Sequence, residues 1–292
     1  MLFFVLYVIC NPAAGNGRAR KTGDMICRLL KEKNIDETML LTQAPGHATE
    51  LARQAREAGA ETVLSVGGDG TAFEVARGLM GSQCALGVIP AGTGNDFVKT
   101  IGVPLDPAAA LSYILEHPAQ KTDVGEINGE MFLNEIGTGF DVSVLDYAAR
   151  AKRYVRGILP YFYGVVRTLF RFKSIPLTYS LDGGEPVTTE AFVVGAANGG
   201  IIGGGIPIAP KARADDGLLD IVIVGKIPSR KLLSRLFGLM RGKILTFPET
   251  AYFRAASIVF SSPGQRVNVD GEILAIPSVN ARVLPQALLV HR

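Results

Sequence analysis

The sequence predicts an α/β fold in two parts: a doubly wound domain over residues 1–121 and a β-rich, sandwich-like domain over 122–292. Three observations carry that expectation. Up to about residue 121, apolar strand-like runs alternate with amphipathic helical stretches through short connections, the grammar of a parallel sheet. Beyond that point short alternating runs take over, separated by Asn-Gly and Asp-Gly turns. The 292 residues include 34 glycines with no collagen period and no low-complexity tract, so glycine must be serving individual loops.

The elements follow in order. Leu2–Cys10 is rich in Phe, Val, Tyr and Ile, which suits a strand buried on both faces. A helix is expected near Arg18–Lys33, a short strand at Thr38–Leu41 and a helix near His47–Ala58. Thr62–Val66 reads as a strand, followed by a helix near Thr71–Met80 and a strand at Leu86–Ile89. Asp106 as cap and Pro107 at the first helical position open a helix running to about His117. In the second part, Val124–Ile127 and Met131–Glu135 flank Asn128-Gly129, a hairpin signal. Leu177–Leu181, Ala191–Ala196, Leu219–Val224, Ile258–Phe260, Arg266–Val269 and Ala281–Leu284 read as short strands. Helical insertions are expected near Phe140–Phe172 and Pro228–Gly242.

Composition removes several classes. With 30 Lys+Arg against 27 Asp+Glu the net charge is +3, which argues against a uniformly basic nucleic-acid binder. Three cysteines (Cys10, Cys27, Cys84) without a C-x-x-C pair leave no disulfide framework or zinc site, and fit a reducing compartment. The apolar run Met1–Cys10 falls well short of the roughly 20 residues of a spanning helix. It also lacks the basic flank of a secretory signal, so a cytoplasmic protein is expected.

The glycines concentrate where strands should end. Asn11-Pro12-Ala13-Ala14-Gly15-Asn16-Gly17 leaves the first strand for a helix, but Arg20 stands where either dinucleotide or P-loop fingerprints need glycine. What remains is a small-residue loop at a helix start, with Arg18, Arg20 and Lys21 adding positive charge, suited to an anion. Gly67-Gly68-Asp69-Gly70-Thr71 follows the third strand and places a carboxylate where it can act through Mg²⁺ beside a polyphosphate. A plain turn with Asp69 as helix cap is its bland rival. Pro90-Ala91-Gly92-Thr93-Gly94-Asn95-Asp96-Phe97 follows the next strand, so two glycine loops should face one cleft.

In this order and spacing NPAAGNG, VGGDGT and PAGTGNDF resemble the diacylglycerol kinase catalytic domain, a pattern shared by bacterial soluble lipid kinases and sphingosine kinases. The likeness continues through Gly203-Gly204-Gly205, Ile208-Ala209-Pro210, Asp215-Asp216-Gly217-Leu218-Leu219-Asp220 and Val269-Asp270-Gly271-Glu272. VGGDGT alone is shared with NAD kinases and phosphofructokinases. The resemblance implies an active site between the two domains, with ATP as co-substrate and Mg²⁺ as cofactor. It implies ATP contacts at Asn11, Pro12, Ala13, Ala14, Gly15, Thr42, Gly67, Gly68, Asp69, Gly70, Thr71, Ala72, Phe73 and Thr93. Asp69 would organise the catalytic Mg²⁺, and Glu272 would accept the proton with Asp270 beside it. Arg213 and Leu218 (through their carbonyls) and Asp216 would hold a structural Mg²⁺, with Asp96 and Asp123 in the same metal network. Phe73 departs from the pattern, since relatives often carry Asn there.

The chemistry agrees with these roles. Phosphoryl transfer asks mainly for positioning and charge neutralisation, and an alcohol acceptor needs a base as attack proceeds. On a regular strand Asp270 and Glu272, two residues apart, project to one face. Charge is also unevenly spread. Tyr147–Lys173 holds seven basic residues and no acid, interleaved with aromatics. Ile221–Pro248 holds six basic residues and no acid around Leu232, Leu233, Leu236, Phe237, Leu239 and Met240. Basic amphipathic helices suit an anionic membrane surface, with packing on the β domain as the rival for Pro228–Gly242. The expectation is a lipid kinase that phosphorylates diacylglycerol or a related lipid, is peripherally associated with the inner membrane surface, and is compatible with a homodimer. A soluble-metabolite kinase of the NAD-kinase type and a non-catalytic nucleotide-sensing membrane adaptor are the alternatives.

Overall fold

In the computed structural model, which describes residues 5–151, 159–169 and 173–292, the chain divides into two units. One comprises Met1–Val124 with Pro285–Arg292, the other Gly125–Leu284.

In the first unit β1 (Leu6–Cys10), α1 (Arg18–Glu32), β2 (Glu37–Leu41), α2 (His47–Glu57), β3 (Thr62–Gly67), α3 (Asp69–Leu79) and β4 (Ala85–Pro90) alternate. A short α4 (Asp96–Thr100), α5 (Pro107–Glu116) and β5 (Ala119–Ile127) follow. The strands lie parallel in the order β2-β1-β3-β4, so the order reverses between β1 and β3. Right-handed crossovers then put α1 and α5 on one face, where they pack together, and the paired α2 and α3 on the other. Covered on both faces, Val8, Ile9, Val63, Leu64, Val66 and Ile89 are fully buried, which explains the unbroken apolar runs. Asp106 caps α5 as its sequence promised, its Oδ1 accepting from the Ala109 amide at 2.9 Å. This is a doubly wound α/β unit.

The second unit holds β6 (Glu130–Phe132), β7 (Glu135–Gly139), α6 (Phe140–Ala151), α7 (Leu159–Leu169), β8 (Ile175–Leu181), β9 (Val187–Ala191) and β10 (Val193–Ala197). There follow the two-residue β11 (Ile201–Ile202) and β12 (Ile206–Pro207), then β13 (Leu219–Val224), α8 (Leu232–Met240) and β14 (Thr250–Ala255). β15 (Ser257–Ser261), β16 (Val267–Val269), β17 (Glu272–Leu274) and β18 (Val279–His291) close the series. A six-stranded sheet runs β14-β13-β10-β7-β16-β17. Its inner face packs on β5, β6, β8, β15 and the first half of β18 through Ile136, Ile221, Ile223, Phe132, Phe260 and Val279. Alternation along β13 sends Leu219, Ile221 and Ile223 into that sandwich core, and Val222 and Val224 to the opposite face, against Phe140, Ile244, Phe247 and α8. The β-rich, sandwich-like second part is therefore as expected.

Two local expectations are corrected. The third helix begins at Asp69, not near Thr71, because extended Gly68 is the cap and its carbonyl accepts from both Thr71 and Ala72 at 3.0 Å. Asp69 thus sits inside the first turn and does not cap the helix. Met131–Glu135 is not one strand. β6 ends at Phe132 and pairs with β5, whereas β7 starts at Glu135 and pairs with β10 and β16. Between them Asn134 turns its carbonyl to the amides of Asn198 and Gly199, both at 2.8 Å. Of the basic, aromatic stretch, Lys152, Arg153, Tyr154, Arg156, Phe170, Arg171 and Phe172 lie outside the described residues, as do the first four residues. No described helix is long and apolar enough to cross a membrane.

The α2–α3 contact is tight at Gly78, where a methyl group would lie 2.6 Å from both Ala52 Cβ and the Thr49 carbonyl oxygen. A backbone oxygen cannot yield cheaply. Gly78→Ala should therefore destabilise the first unit by about 1–2 kcal/mol, overpacking outweighing the roughly 1 kcal/mol gained in helix propensity. A lower urea midpoint with unchanged secondary structure checks it.

Candidate active site

In a doubly wound sheet, the crevice for a ligand lies beyond the carboxyl ends of the strands, where the order reverses. There the loops after β1, β2, β3 and β4 surround a cavity of about 570 Å³. Asn11 shapes the first loop. Its Oδ1 accepts from the Ala13 amide at 3.1 Å and its Nδ2 donates to Thr71 Oγ1 at 3.2 Å, tying this loop to α3. Gly15, at φ +59°, presses so closely on the β4 loop that a methyl group would stand 2.1 Å from the Ala91 oxygen. Arg18 spans the same gap, donating through Nε to the Gly15 carbonyl (3.1 Å) and through Nη2 to that of Gly92 (3.3 Å). The β3 and β4 loops touch backbone to backbone: a methyl on Gly92 would lie 2.4 Å from Gly68 Cα.

Of the expected nucleotide contacts, Asn11, Pro12, Ala13, Ala14, Gly15, Thr42, Gly68, Gly70, Thr71 and Thr93 line this cavity. Gly67 is buried as the last residue of β3, Ala72 faces the core from α3, and Phe73 is half-buried; these three and Asp69 do not line it. Gly68, Gly70 and Thr71 open the N-terminal end of α3 on the cavity, a natural seat for an anion.

Asp69 and Asp96 form the acidic corner. The Phe97 amide donates to Asp69 Oδ1 at 3.0 Å. A methyl on Gly94 would lie 2.9 Å from Asp69 Oδ2 and 3.6 Å from Asp96 Oδ2, so both carboxylates reach toward one spot. Burial pushes the Asp69 carboxyl above the usual carboxylate range; the Phe97 amide opposes this and the Asp96 charge adds to it. Lys99 Nζ answers Asp96 Oδ1 at 3.2 Å. Mg²⁺ is commonly held by one or two carboxylates together with phosphates and waters, so this hard-oxygen pair fits the ion. Among the described residues no three His, Cys, Asp or Glu side chains converge. Asp123 serves the fold of the first unit: its Oδ1 accepts from the Gln286 amide at 2.7 Å, holding a residue at φ +54°.

In the second unit Asp270 and Glu272 do not share the face of a regular strand. Asp270 (φ +47°) and Gly271 (φ +97°) are the central residues of a two-residue hairpin turn between β16 and β17. The Asp270 carboxylate accepts from three successive amides, Leu133 through Oδ2 at 2.6 Å and Asn134 and Glu135 through Oδ1 at 2.9 and 3.0 Å. Glu272, the first residue of β17, is exposed. Arg213, Asp216 and Leu218 share one loop. Asp216 accepts from the Leu218 amide at 3.2 Å and is ion-paired with Arg254, while Arg213 pairs with Asp215. A metal at Asp216 would have to compete with that arginine.

Sequence reasoning passed over several residues that hold these loops. Glu74 receives the amides of Gly46 (2.9 Å) and Ala48 (3.0 Å), fixing the β2 loop. Asn268 Oδ1 accepts from the Gly271 amide at 2.8 Å and its Nδ2 points to Glu135 Oε1 at 3.4 Å. Asn two residues before Asp-Gly was the available signal. Glu74 offered none, because its partners lie far back in the chain.

Residues 5–127 match the diacylglycerol kinase catalytic domain, and residues 134–292 match the YegS C-terminal NAD kinase beta sandwich-like domain. A diacylglycerol kinase of Mycobacterium tuberculosis is 31% identical over 290 residues, 97% of this chain and 94% of that one.

The chain belongs to the diacylglycerol kinase family of lipid kinases.

A protein of Pseudomonas aeruginosa named as a YegS-like lipid kinase is 32% identical over 98% of this chain and 93% of its own. The crystal structure of a diacylglycerol kinase from Bacillus anthracis superposes with a TM-score of 0.74 at 25% identity, covering 99% and 97% of the two chains. An NAD kinase from Archaeoglobus fulgidus shares the fold alone, with a TM-score of 0.55 at 13% identity over 99% and 94%. The two-domain lipid-kinase architecture expected from the glycine loops is thus the family's own.

Close to the Asp270 turn lies a carboxylate that this member of the lipid-kinase family buries without a hydrogen bond. Neither oxygen of Asp141, at the start of α6, has a partner among the described residues. Burial pushes its carboxyl up to about 6, ahead of the opposing effect of the nearby Val142 amide and Asn268 side chain, neither of which meets it in hydrogen-bond geometry. Because the folded state holds this proton more tightly than the unfolded chain, its stabilising effect is full below about pH 4 and is lost as pH rises through about 6. Asp141→Asn should therefore melt at a higher temperature than wild type at pH 7, with the gap narrowing toward pH 4.5. Thermal melts across that range check the sign.

Proposed function

We propose that this protein transfers the γ-phosphoryl group of ATP, with Mg²⁺, to the hydroxyl of diacylglycerol or a close relative, working peripherally on a membrane. The observation that carries the reading is the contact of two glycine loops at Gly68 and Gly92 beside the Asp69–Asp96 pair. Loops of that kind expose backbone amides to phosphates without interference from side chains. Family membership and the names of the relatives support lipid as the acceptor class.

In the proposed mechanism the polyphosphate rests on the first turn of α3 and the Asn11–Gly15 loop, with Arg18 adding positive charge. Mg²⁺, when bound, would supply neutralising charge beside the polyphosphate, which is the main demand of a loose transition state. Asp69 and Asp96 would hold it. The acceptor oxygen forms a bond to the γ-phosphorus as the bond to ADP breaks, and Glu272 takes the hydroxyl proton. Asp270 and Asn268 keep the Glu272 turn in place and touch no reacting atom. A soluble acceptor of the NAD-kinase type has only a distant fold likeness behind it. That alternative also leaves the basic, apolar helices without a use.

Transfer of labelled γ-phosphate from ATP to a panel of micellar lipids, with and without Mg²⁺, tests the proposal. Labelled product from an alcohol-bearing lipid is expected only with the metal; label on soluble NAD alone would overturn it. Within that assay Asp69→Asn should lose most turnover while its melt stays close to wild type. Glu272→Gln should lower kcat by about 10²- to 10⁴-fold with nucleotide affinity nearly unchanged. Retention of more than about a tenth of wild-type kcat would remove Glu272 from the role of base.

A further inference from the structure

The helix α8 carries more apolar surface than its packing uses. Leu232, Leu236 and Leu239 lie against the core formed by Phe140, Ile244 and Phe247 on the outer face of the six-stranded sheet. Leu233, Phe237 and Met240 point elsewhere, with 57%, 53% and 60% of their surfaces exposed. At about 100° per residue these three fall within one stripe roughly 60° wide, adjoining the packed one. The helix cannot rotate to hide it. Arg235 is locked to both carboxylate oxygens of Glu249 at 2.9 and 3.1 Å, and its guanidinium lies over the Phe247 ring at 4.9 Å.

Positive charge flanks the stripe at both ends of α8. Lys226 and Arg230 precede α8 and Arg241 and Lys243 follow it; all four are exposed, and none has an ionic partner among the described residues. Lys231 and Arg235 are excluded from this count because Glu249 occupies them. The stretch Ile221–Pro248 contributes no acid to oppose the four. An apolar stripe flanked at both ends of its helix by exposed cations complements the interface of an anionic bilayer, where hydrocarbon meets negative headgroups.

We infer that α8 is the element by which this protein docks on anionic membrane lipid, Leu233, Phe237 and Met240 entering the interface and Lys226, Arg230, Arg241 and Lys243 engaging the headgroups. The inference rests on the lipid-kinase reading for its purpose, but its physical content does not require turnover. It also orients the molecule, since the outer face of the six-stranded sheet must then lie toward the membrane.

The test is sedimentation of the full chain with vesicles of phosphatidylcholine, alone or mixed with phosphatidylglycerol. Wild type should bind only the mixed vesicles, and less tightly as salt rises. Arg230→Glu with Arg241→Glu should weaken that binding at least about tenfold, and Leu233→Ser with Phe237→Ser should weaken it comparably. All four sites are exposed, so melting temperatures should match wild type. Equal binding to both vesicle types, no binding, or binding unaffected by either double variant would overturn the inference. So would a dimer in analytical ultracentrifugation that the Leu233/Phe237 variant dissolves, because a second copy would then cover the stripe. Vesicle binding without lipid phosphorylation would remove the kinase reading and leave the docking surface standing. Lipid phosphorylation by a protein that ignores anionic vesicles would do the reverse.

Discussion

Gly68 and Gly92 approach so closely that a methyl group on Gly92 would lie 2.4 Å from Gly68 Cα, and the geometry of the first unit follows from their contact. β3 and β4 are adjacent parallel strands, so their loops emerge side by side. Only the absence of a Cβ atom at Gly92 lets the two backbones meet beside the cavity. Asn95 closes the second loop on itself, its Oδ1 accepting from the Gly92 amide at 3.1 Å and its Nδ2 donating to the Gly92 carbonyl at 3.3 Å. Arg18 then bridges that carbonyl to the loop after β1. A bulkier residue at Gly92 would push the two loops apart and with them the groups around the cavity.

The second unit solves a different problem, that of ending strands inside a polar neighbourhood. Leu133, Asn134 and Glu135 leave one sheet for the other, and their three amides would be costly to bury alone. One carboxylate, Asp270, receives all three. Asn198, fully buried, donates to the Leu133 carbonyl at 2.9 Å on the same turn. A charged acceptor serving several amides is strong and directional, so the hairpin carrying Glu272 is held by the strand change itself.

Much of the fold was legible because local signals and tertiary demands agreed. Unbroken apolar runs meant strands covered on both faces, Asp106-Pro107 meant a helix start, and Asp270-Gly271 meant a tight hairpin. The glycine loops stood out for the same reason: no other residue type tolerates their backbone approach. What escaped detection was set by partners distant in sequence. Glu74 is an ordinary acid on an amphipathic helix until the β2 loop folds onto it. Asp270 and Glu272 look equivalent in the string DGE, yet positive φ at Asp270 turns its carboxylate inward to amides more than a hundred residues earlier, leaving Glu272 outside. Asp141 likewise gives no sign in sequence that it will be buried unbonded.

The first unit is assembled from two separated pieces of chain, 1–124 and 285–292. Val290 takes its place beside Leu86 of β4, the Ala287 carbonyl accepts from the Gly81 amide at 3.0 Å, and the buried His291 ring meets Thr62 Oγ1 at 3.2 Å. During synthesis β4 therefore waits with one edge unpaired until the whole of 125–284 has left the ribosome. An apolar parallel edge of that kind is a template for wrong partners. The strand that would protect it is the most distant in sequence, and contacts of such separation form slowly. Closure of the first sheet is thereby coupled to β18: a nascent protein can show its glycine loops early, but their supporting sheet is not closed until that strand arrives.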